Sequence, residues 1–202
     1  MMLNFQSKQV KLSNIITTPI QTGFQVRGKV QPDLRGNYKL IQVKDTVRST
    51  LYHIKTENLD KISIPEKQIK FMKKYLVQKN DILYLSKLNP RAFLYSDTFE
   101  NTAPMAHFYI LRPKTDIIFA SYLCWVLNQN FIQPYIQKCL KGTNLPFISK
   151  EVLMNLKIPL PNKAVQKKII SLLELRSQEK EIQNTIDRKK NRLINAILNK
   201  LL

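Results

Sequence analysis

From Asn162 to Leu202 the chain contains neither glycine nor proline, and good helix formers dominate. Such a stretch predicts one helix of about 40 residues, about 60 Å long. Its apolar residues Val165, Leu172, Leu175, Ile182, Ile186, Leu193 and Ile197 fall close to a heptad seam, interrupted by Glu179 and Lys189. A helix of this kind cannot bury its seam alone, and the chain holds no second helix of matching length. Two solutions remain open. The helix folds back on its own domain, covering its first half, or it pairs with the helix of a second copy through Leu172, Leu175, Ile182, Ile186, Leu193 and Ile197. Self-association is the expectation.

The segment Ile158-Pro159-Leu160-Pro161 separates this helix from what precedes it, because prolines forbid regular helix and favour an extended connector. Residues 1–158 read as one α+β (mixed α/β) domain and residues 159–202 as the helical unit. Within the first unit, YKLIQV (38–43), DILYLSK (81–87) and MAHFYILR (105–112) carry the β-branched and aromatic runs of strands. Turn-forming clusters, Asp33-Leu34-Arg35-Gly36-Asn37 and Asn89-Pro90, separate them. From 117 to 128 and from 131 to 140 the period changes, placing Leu123, Val126, Leu127, Ile132 and Ile136 at helical spacing, with Gly142 expected to stop that stretch.

Charge restricts the choice of partner. The chain has 33 Lys and Arg against 14 Asp and Glu, a formal net charge of +19, which repels itself in compact form unless a polyanion neutralises part of it. Compositional drift toward Lys does not by itself remove acids, so nucleic acid is the expected polyanion. The cations gather where strands end: Arg27, Lys29, Arg35 and Lys39 around one turn, Lys87, Asn89 and Arg91 around another. Lys and Arg neutralise phosphates there, and Arg and Asn also pair with guanine and adenine edges. The loop Lys141-Gly142-Thr143-Asn144 adds a cation, a backbone able to approach closely and two hydrogen-bonding side chains. Each residue taken singly also reads as a solvated surface group; the set is what points to nucleic acid.

Chemistry for catalysis is not legible. Four glycines hardly supply a phosphate loop. His53 and His107 stand alone on strand-like stretches, without ligand spacing to any Cys or acidic cluster. Asp33 and the distant Asp187-Arg188-Lys189 fit a nuclease-like pattern only by chance. Cys124 and Cys139 lie in apolar helical patterns and read as buried thiols. No metal, cofactor or catalytic residue is expected. No run approaches the roughly 20 apolar residues of a membrane helix, and the start lacks a signal-peptide stretch, so a cytoplasmic protein is expected.

The run from Ser121 to the C-terminus resembles the distal part of a target-recognition domain and the helix that follows it in type I restriction-modification specificity subunits. The elements stand in that family's order: a Tyr122-Leu123 helix, a loop from Lys141 to Ser149 of the form KG[ST]-x-x-x-x-IS, a short helix ending in L-x-IPLP, and Gln166 opening the long helix. KLSNI, GNYKLIQVKDT and KNDILYLSK are similar too, with Asn80 where the family has Gly before Asp81. Members carry two recognition domains and two such helices; this chain carries one of each. The resemblance therefore implies a non-catalytic, DNA-binding half-subunit, whose helix pairs antiparallel with its copy in a homodimer. That dimer would bind an inverted bipartite site on double-stranded DNA and present it to methyltransferase and motor-nuclease (restriction) subunits. A recognition-domain fragment of a fused restriction-methylation enzyme, a stand-alone DNA-binding protein, and an RNA-binding or structural basic protein stay open as alternatives.

Overall fold

The computed structural model describes residues 8–25, 32–46, 52–54, 56–57, 59–64, 66–99 and 101–201. In chain order these form β1 (Gln9–Lys11), α1 (Leu12–Ile15), β2 (Ile16–Thr22), β3 (Tyr38–Ile41), α2 (Val43–Thr46), β4 (Asp60–Ile62), α3 (Glu66–Met72), β5 (Ile82–Leu85), β6 (Arg91–Leu94), β7 (Thr102–Pro104), β8 (Phe108–Pro113), α4 (Ala120–Leu127), α5 (Gln133–Lys138), α6 (Lys150–Met154), β9 (Lys157–Pro159) and α7 (Lys163–Leu201). A mixed α/β body is thus followed by one long helix, as the sequence predicts.

Three small sheets organise the body. An antiparallel sheet runs β2-β8-β5-β6, a second runs β4-β3-β7, and β1 pairs with β9. The three predicted strands exist but are shorter than their apolar runs. In the first, Asp45 accepts from the Gln42 N–H at 2.8 Å and turns the chain into α2. In the third, the Phe108 N–H returns to the Met105 carbonyl at 3.0 Å, so residues 105–107 form a turn before β8. The β5 strand is buried along its whole length. It is the central element: α4 covers one face with Tyr122, Leu123, Val126 and Leu127, all fully buried, while Leu83, Phe93 and Phe108 fill the other side.

Two polar anchors fix this sheet. Asn128, at the end of α4, accepts from the Ala92 N–H at 3.0 Å and donates to the Ala92 and Cys124 carbonyls at 2.9 Å. It thereby closes the backbone of β6, the sheet's outer strand. At the start of β5, Asp81 is buried; its carboxylate accepts from Arg112 Nε and a terminal Arg112 nitrogen at 2.8 Å each, and from the Gln78 N–H at 2.8 Å. Asn80 before it has φ 74°, the left-handed region where Asn is tolerated and Gly is unstrained. The family's usual Gly and this chain's Asn therefore serve one turn.

The α7 helix is docked on one side only. Gln166 is buried and Ile169, Ile170, Leu173 and Ser177 are half-buried against the body. Leu172, Leu175, Ile182, Ile186, Leu193 and Ile197 are 39–66% exposed, so the predicted seam points away from the body. Backfolding covers the first part of the helix without touching that seam. Cys124 is buried as predicted, but Cys139 is only half-buried, because it caps the short α5 at the surface. No helix among the described residues is long and apolar enough to cross a membrane.

The Asp81–Arg112 pair yields a stability test. Asp81→Asn keeps the shape and strips the charge from the buried member, leaving Arg112, whose side chain is 42% exposed, without its counter-ion. Urea unfolding should report a loss of about 2 kcal/mol, below the cost of breaking a fully buried pair because water still reaches Arg112. An unchanged unfolding midpoint would contradict the anchoring role.

Candidate nucleic-acid interface

The structure brings two of the predicted basic segments together. The tip between β5 and β6 and the 141–147 loop are joined by the Leu88 N–H on the Pro146 carbonyl at 2.8 Å and the Ile148 N–H on the Ser86 carbonyl at 2.9 Å. Lys87 and Lys141 both form bridges to Phe147. Reciprocal 2.9 Å bonds between Lys141 and Phe147 close the loop. Ser86 adds a third segment, donating from its N–H and its hydroxyl to the His107 carbonyl at 2.9 and 2.8 Å. Lys87, Asn89 and Arg91 therefore share one region with Lys141, Gly142, Thr143 and Asn144.

This region is built to stay positive. Residues 86–91 and 141–149 contain no acid, and Lys87, Arg91 and Lys141 make no ion pair among the described residues. Burial, and secondarily the neighbouring Lys87, hold His107 below the usual imidazole range, which favours its neutral form. Gly142 has φ +93°, so its glycine serves the loop's turn. The expectation that it stops the preceding helix is corrected: α5 ends at Lys138, with Cys139 as its cap. Unpaired cations with Asn and Thr amides and hydroxyls between them can neutralise phosphates and reach base edges.

The other predicted cations fare differently. Arg35 is exposed on a turn that Asp33 builds: the Arg35 N–H donates to Asp33 Oδ1 at 2.9 Å, and the Ser63 hydroxyl also donates to that carboxylate. Asp33 is thus committed to a turn, far from the nuclease-like pattern. Lys39 is half-buried, donating to the Thr56 carbonyl at 3.3 Å and lying 4.1 Å from the centre of the Phe99 ring. Its charge is engaged within the body. No hydrogen bond or bridge among the described residues joins this turn to the Lys87 and Lys141 region. Arg27 and Lys29 lie outside the described residues. No group of His, Cys, Asp and Glu among the described residues could hold a metal ion.

The body that carries this region is bonded to α7 at the start of the helix. Asn162 opens the helix, its Oδ1 accepting from the Val165 N–H at 3.0 Å. The buried Gln166 Oε1 accepts from the Phe119 N–H at 3.0 Å, and Nε2 donates to the Pro161 carbonyl at 2.9 Å and to the Ile117 carbonyl at 3.4 Å. Tyr122 donates its hydroxyl to the Pro159 carbonyl at 3.1 Å. Lys163 lies 4.1 Å from the centre of the Phe119 ring.

Residues 7–201 match the family described as type I restriction modification DNA specificity domain. The chain belongs to this family. It is 33% identical over 92 residues to the type I restriction enzyme MjaVIII specificity subunit of Methanocaldococcus jannaschii, an overlap of 42% of this chain and 21% of that one. The fold is similar to the type I restriction-modification S subunit of M. genitalium (17% identity, TM-score 0.58, 94% of this chain and 44% of the other). It is similar to the HsdS subunit of Thermoanaerobacter tengcongensis (17%, TM-score 0.56, 89% and 39%). It also resembles a chain from a structure describing complex assembly and conformational transition of the type I restriction-modification system (20%, TM-score 0.64, 99% and 46%). The chain spans under half the length of these relatives.

The motifs that carry the family resemblance acquire physical roles. Ile148 is fully buried and Ser149 caps α6, its Oγ accepting from the Val152 N–H at 3.3 Å. Leu156 and Ile158 are buried, and Gln166 stitches the junction. What sequence reasoning missed is apolar: Leu88 and Leu145 are each 58% exposed on the joined loops, and Leu88 has φ 62°. Such residues can touch thymine methyl groups or wedge into a base step. A single exposed leucine in a loop has no periodicity to reveal it.

The geometry separates Lys87, Arg91 and Lys141, which make no ion pair among the described residues, from Lys39, which is engaged within the body. Lys87→Ala, Arg91→Ala and Lys141→Ala should each weaken DNA binding and reduce the slope of log affinity against log salt by about one. Lys39→Ala should leave that slope unchanged and lower the thermal midpoint instead. Equal slopes for all four variants in a fluorescence-anisotropy salt series would place the interface elsewhere.

Proposed function

We propose that this chain is the DNA-reading half of a type I specificity subunit, acting as a homodimer. In this reading residues 1–158 recognise one half-site on double-stranded DNA and residues 159–202 hold the two copies apart. The single observation that supports it best is the two-faced helix: α7 is anchored through Gln166 on one side and leaves Leu172, Leu175, Ile182, Ile186, Leu193 and Ile197 uncovered on the other. An exposed apolar stripe of that length marks an interaction surface. A partner helix at coiled-coil spacing is its natural cover.

A twofold dimer of identical readers recognises inverted half-sites. The dimer delivers methyltransferase subunits, and through them the motor-nuclease subunit, to that address in the cytoplasm. The catalysis belongs to those partners, and this chain needs no cofactor. The acid-free region around Lys87, Arg91 and Lys141 supplies the phosphate contacts, with Asn144 of the same loop as a further contact and Arg35 as one on a separate turn.

Methylated adenines mapped in a host carrying this chain and its cognate methyltransferase should lie in two inverted half-sites at one fixed spacing. Inserting one heptad after Asp187 keeps the seam in phase, since seven residues come within about 20° of two turns. Each helix then gains about 10 Å, equivalent to about three base pairs. The half-sites should persist while the spacer lengthens by up to that amount, or binding should fail. The original spacer at full occupancy would sink the ruler, and an intact chain that light scattering finds monomeric at micromolar concentration would sink the dimer.

A further inference from the structure

We infer that the antiparallel pair of α7 helices implied by the family resemblance is held in one fixed register, in which Glu179 of each copy lies against Lys189 of the other. The inference rests on the dimer reading above and says which residues meet. Positions 172, 175, 179, 182, 186, 189, 193 and 196 alternate steps of three and four, the repeat of a coiled-coil seam. All are exposed. The docked residues Gln166, Ile170, Leu173 and Ser177 lie on roughly the opposite side of the helix, at about 100° per residue, so the body does not obstruct a partner helix.

The seam is self-complementary when reversed. With one copy turned end for end about the middle of the block, Ile182 meets Ile186, Leu175 meets Leu193, and Leu172 meets Ala196 with Ile197 at its flank. Glu179, one of the two residues that interrupt the apolar pattern, then meets Lys189, the other. Neither makes a hydrogen bond or ion pair among the described residues. The alternatives fail on charge. A parallel pair puts Glu179 on Glu179 and Lys189 on Lys189. Sliding the antiparallel pair by one heptad sets Lys189 against Leu172 or Ile186, and Glu179 against Ile182 or Ala196, which strips both charges of a partner. A polar position in an otherwise apolar seam is the known way to fix register and orientation at some cost in stability.

The same layer carries two further cations. Arg176 and Lys190 flank it on both copies, so the Glu179 carboxylate sits among positive groups from both chains and its reversal is more disruptive than that of Lys189. The twofold axis doubles each effect, because every contact occurs twice.

The test uses the full chain and a dilution series in analytical ultracentrifugation. All positions are exposed and all replacements are good helix formers, so circular dichroism should stay unchanged. Glu179→Lys should raise the dimer dissociation constant at least about tenfold. Adding Lys189→Glu to it should recover most of that loss. An equimolar mixture of the single variants E179K and K189E, carrying different tags, should form mixed dimers in preference to either homodimer, since both layers are then attractive. A parent chain that dimerises while ignoring the reversal, or a double variant no better than E179K, overturns the register and leaves the dimer standing. A parent chain that stays monomeric overturns both.

Discussion

The amide of Gln166 is the contact on which the molecule's geometry depends. It is a neutral group, fully buried and satisfied on both ends: it accepts from Phe119 and donates to Ile117 of the body, and it donates to Pro161 of the connector. A long helix leaving a small domain would otherwise be a loose lever, because the apolar contacts of Ile169, Ile170 and Leu173 are non-directional. The amide turns that hydrophobic dock into a fixed angle. An orphaned buried amide costs about 1–3 kcal/mol, so rotation of the helix about its axis is penalised at the one point where rotation would swing everything beyond it. The carbonyls that receive it are themselves held, since Tyr122 from α4 bonds Pro159 two residues before Pro161.

That junction also connects the candidate face to the helix through few intermediaries. The 141–147 loop leads through Ile148, buried, and Ser149, the cap of α6, to Leu156, Ile158 and the β9 strand, which β1 clamps. From β9 the chain passes directly to Pro161 and Asn162. The same short run that presents Lys141 and Asn144 therefore ends in the helix start. Strand β5 gives the other half of the face its rigidity, because its N-terminal end is fixed by Asp81 and Arg112 and its C-terminal end carries Lys87. The loops are exposed, yet their bases are fixed at both ends.

Legibility in the sequence followed the range of the forces involved. The long helix was readable from its uninterrupted run of helix formers, and the buried stripe of α4 because periodic burial leaves a periodic pattern. Strand ends were not, because Asp45 and the Met105 turn are local hydrogen-bonded decisions that override an apolar run. The basic residues of the 87–91 and 141–144 segments were readable as a set, but their adjacency was not: it depends on Leu88 meeting Pro146 across more than 50 residues of chain. The engagement of Lys39 was not legible, since nothing in its neighbours in sequence announces Thr56 or the Phe99 ring. The motif Gln at 166 was visible only by family resemblance; its burial and three partners give the physical reason a Gln stands there, with both a donor and an acceptor to place.

The division of labour on α7 explains why a chain this basic can carry a helix this exposed. The docked residues and the seam occupy opposite sides, so neither burial competes with the other, and most of what remains between them is polar, with Ile194 and Leu198 exposed toward the C-terminal end. A partner helix added to the seam would not disturb Gln166, and the domain's grip would not mask the seam. In the proposed twofold pair each body would sit at the N-terminal end of its own helix, so the distance between the two candidate faces would grow by about 1.5 Å for every residue between the junction and the axis. Spacing is then set by helix length and rotational phase by the angle between the two faces, both fixed by backbone geometry. In the proposed dimer, base contacts carried on these loops would change identity without altering either quantity, as a modular reader of bipartite sites requires.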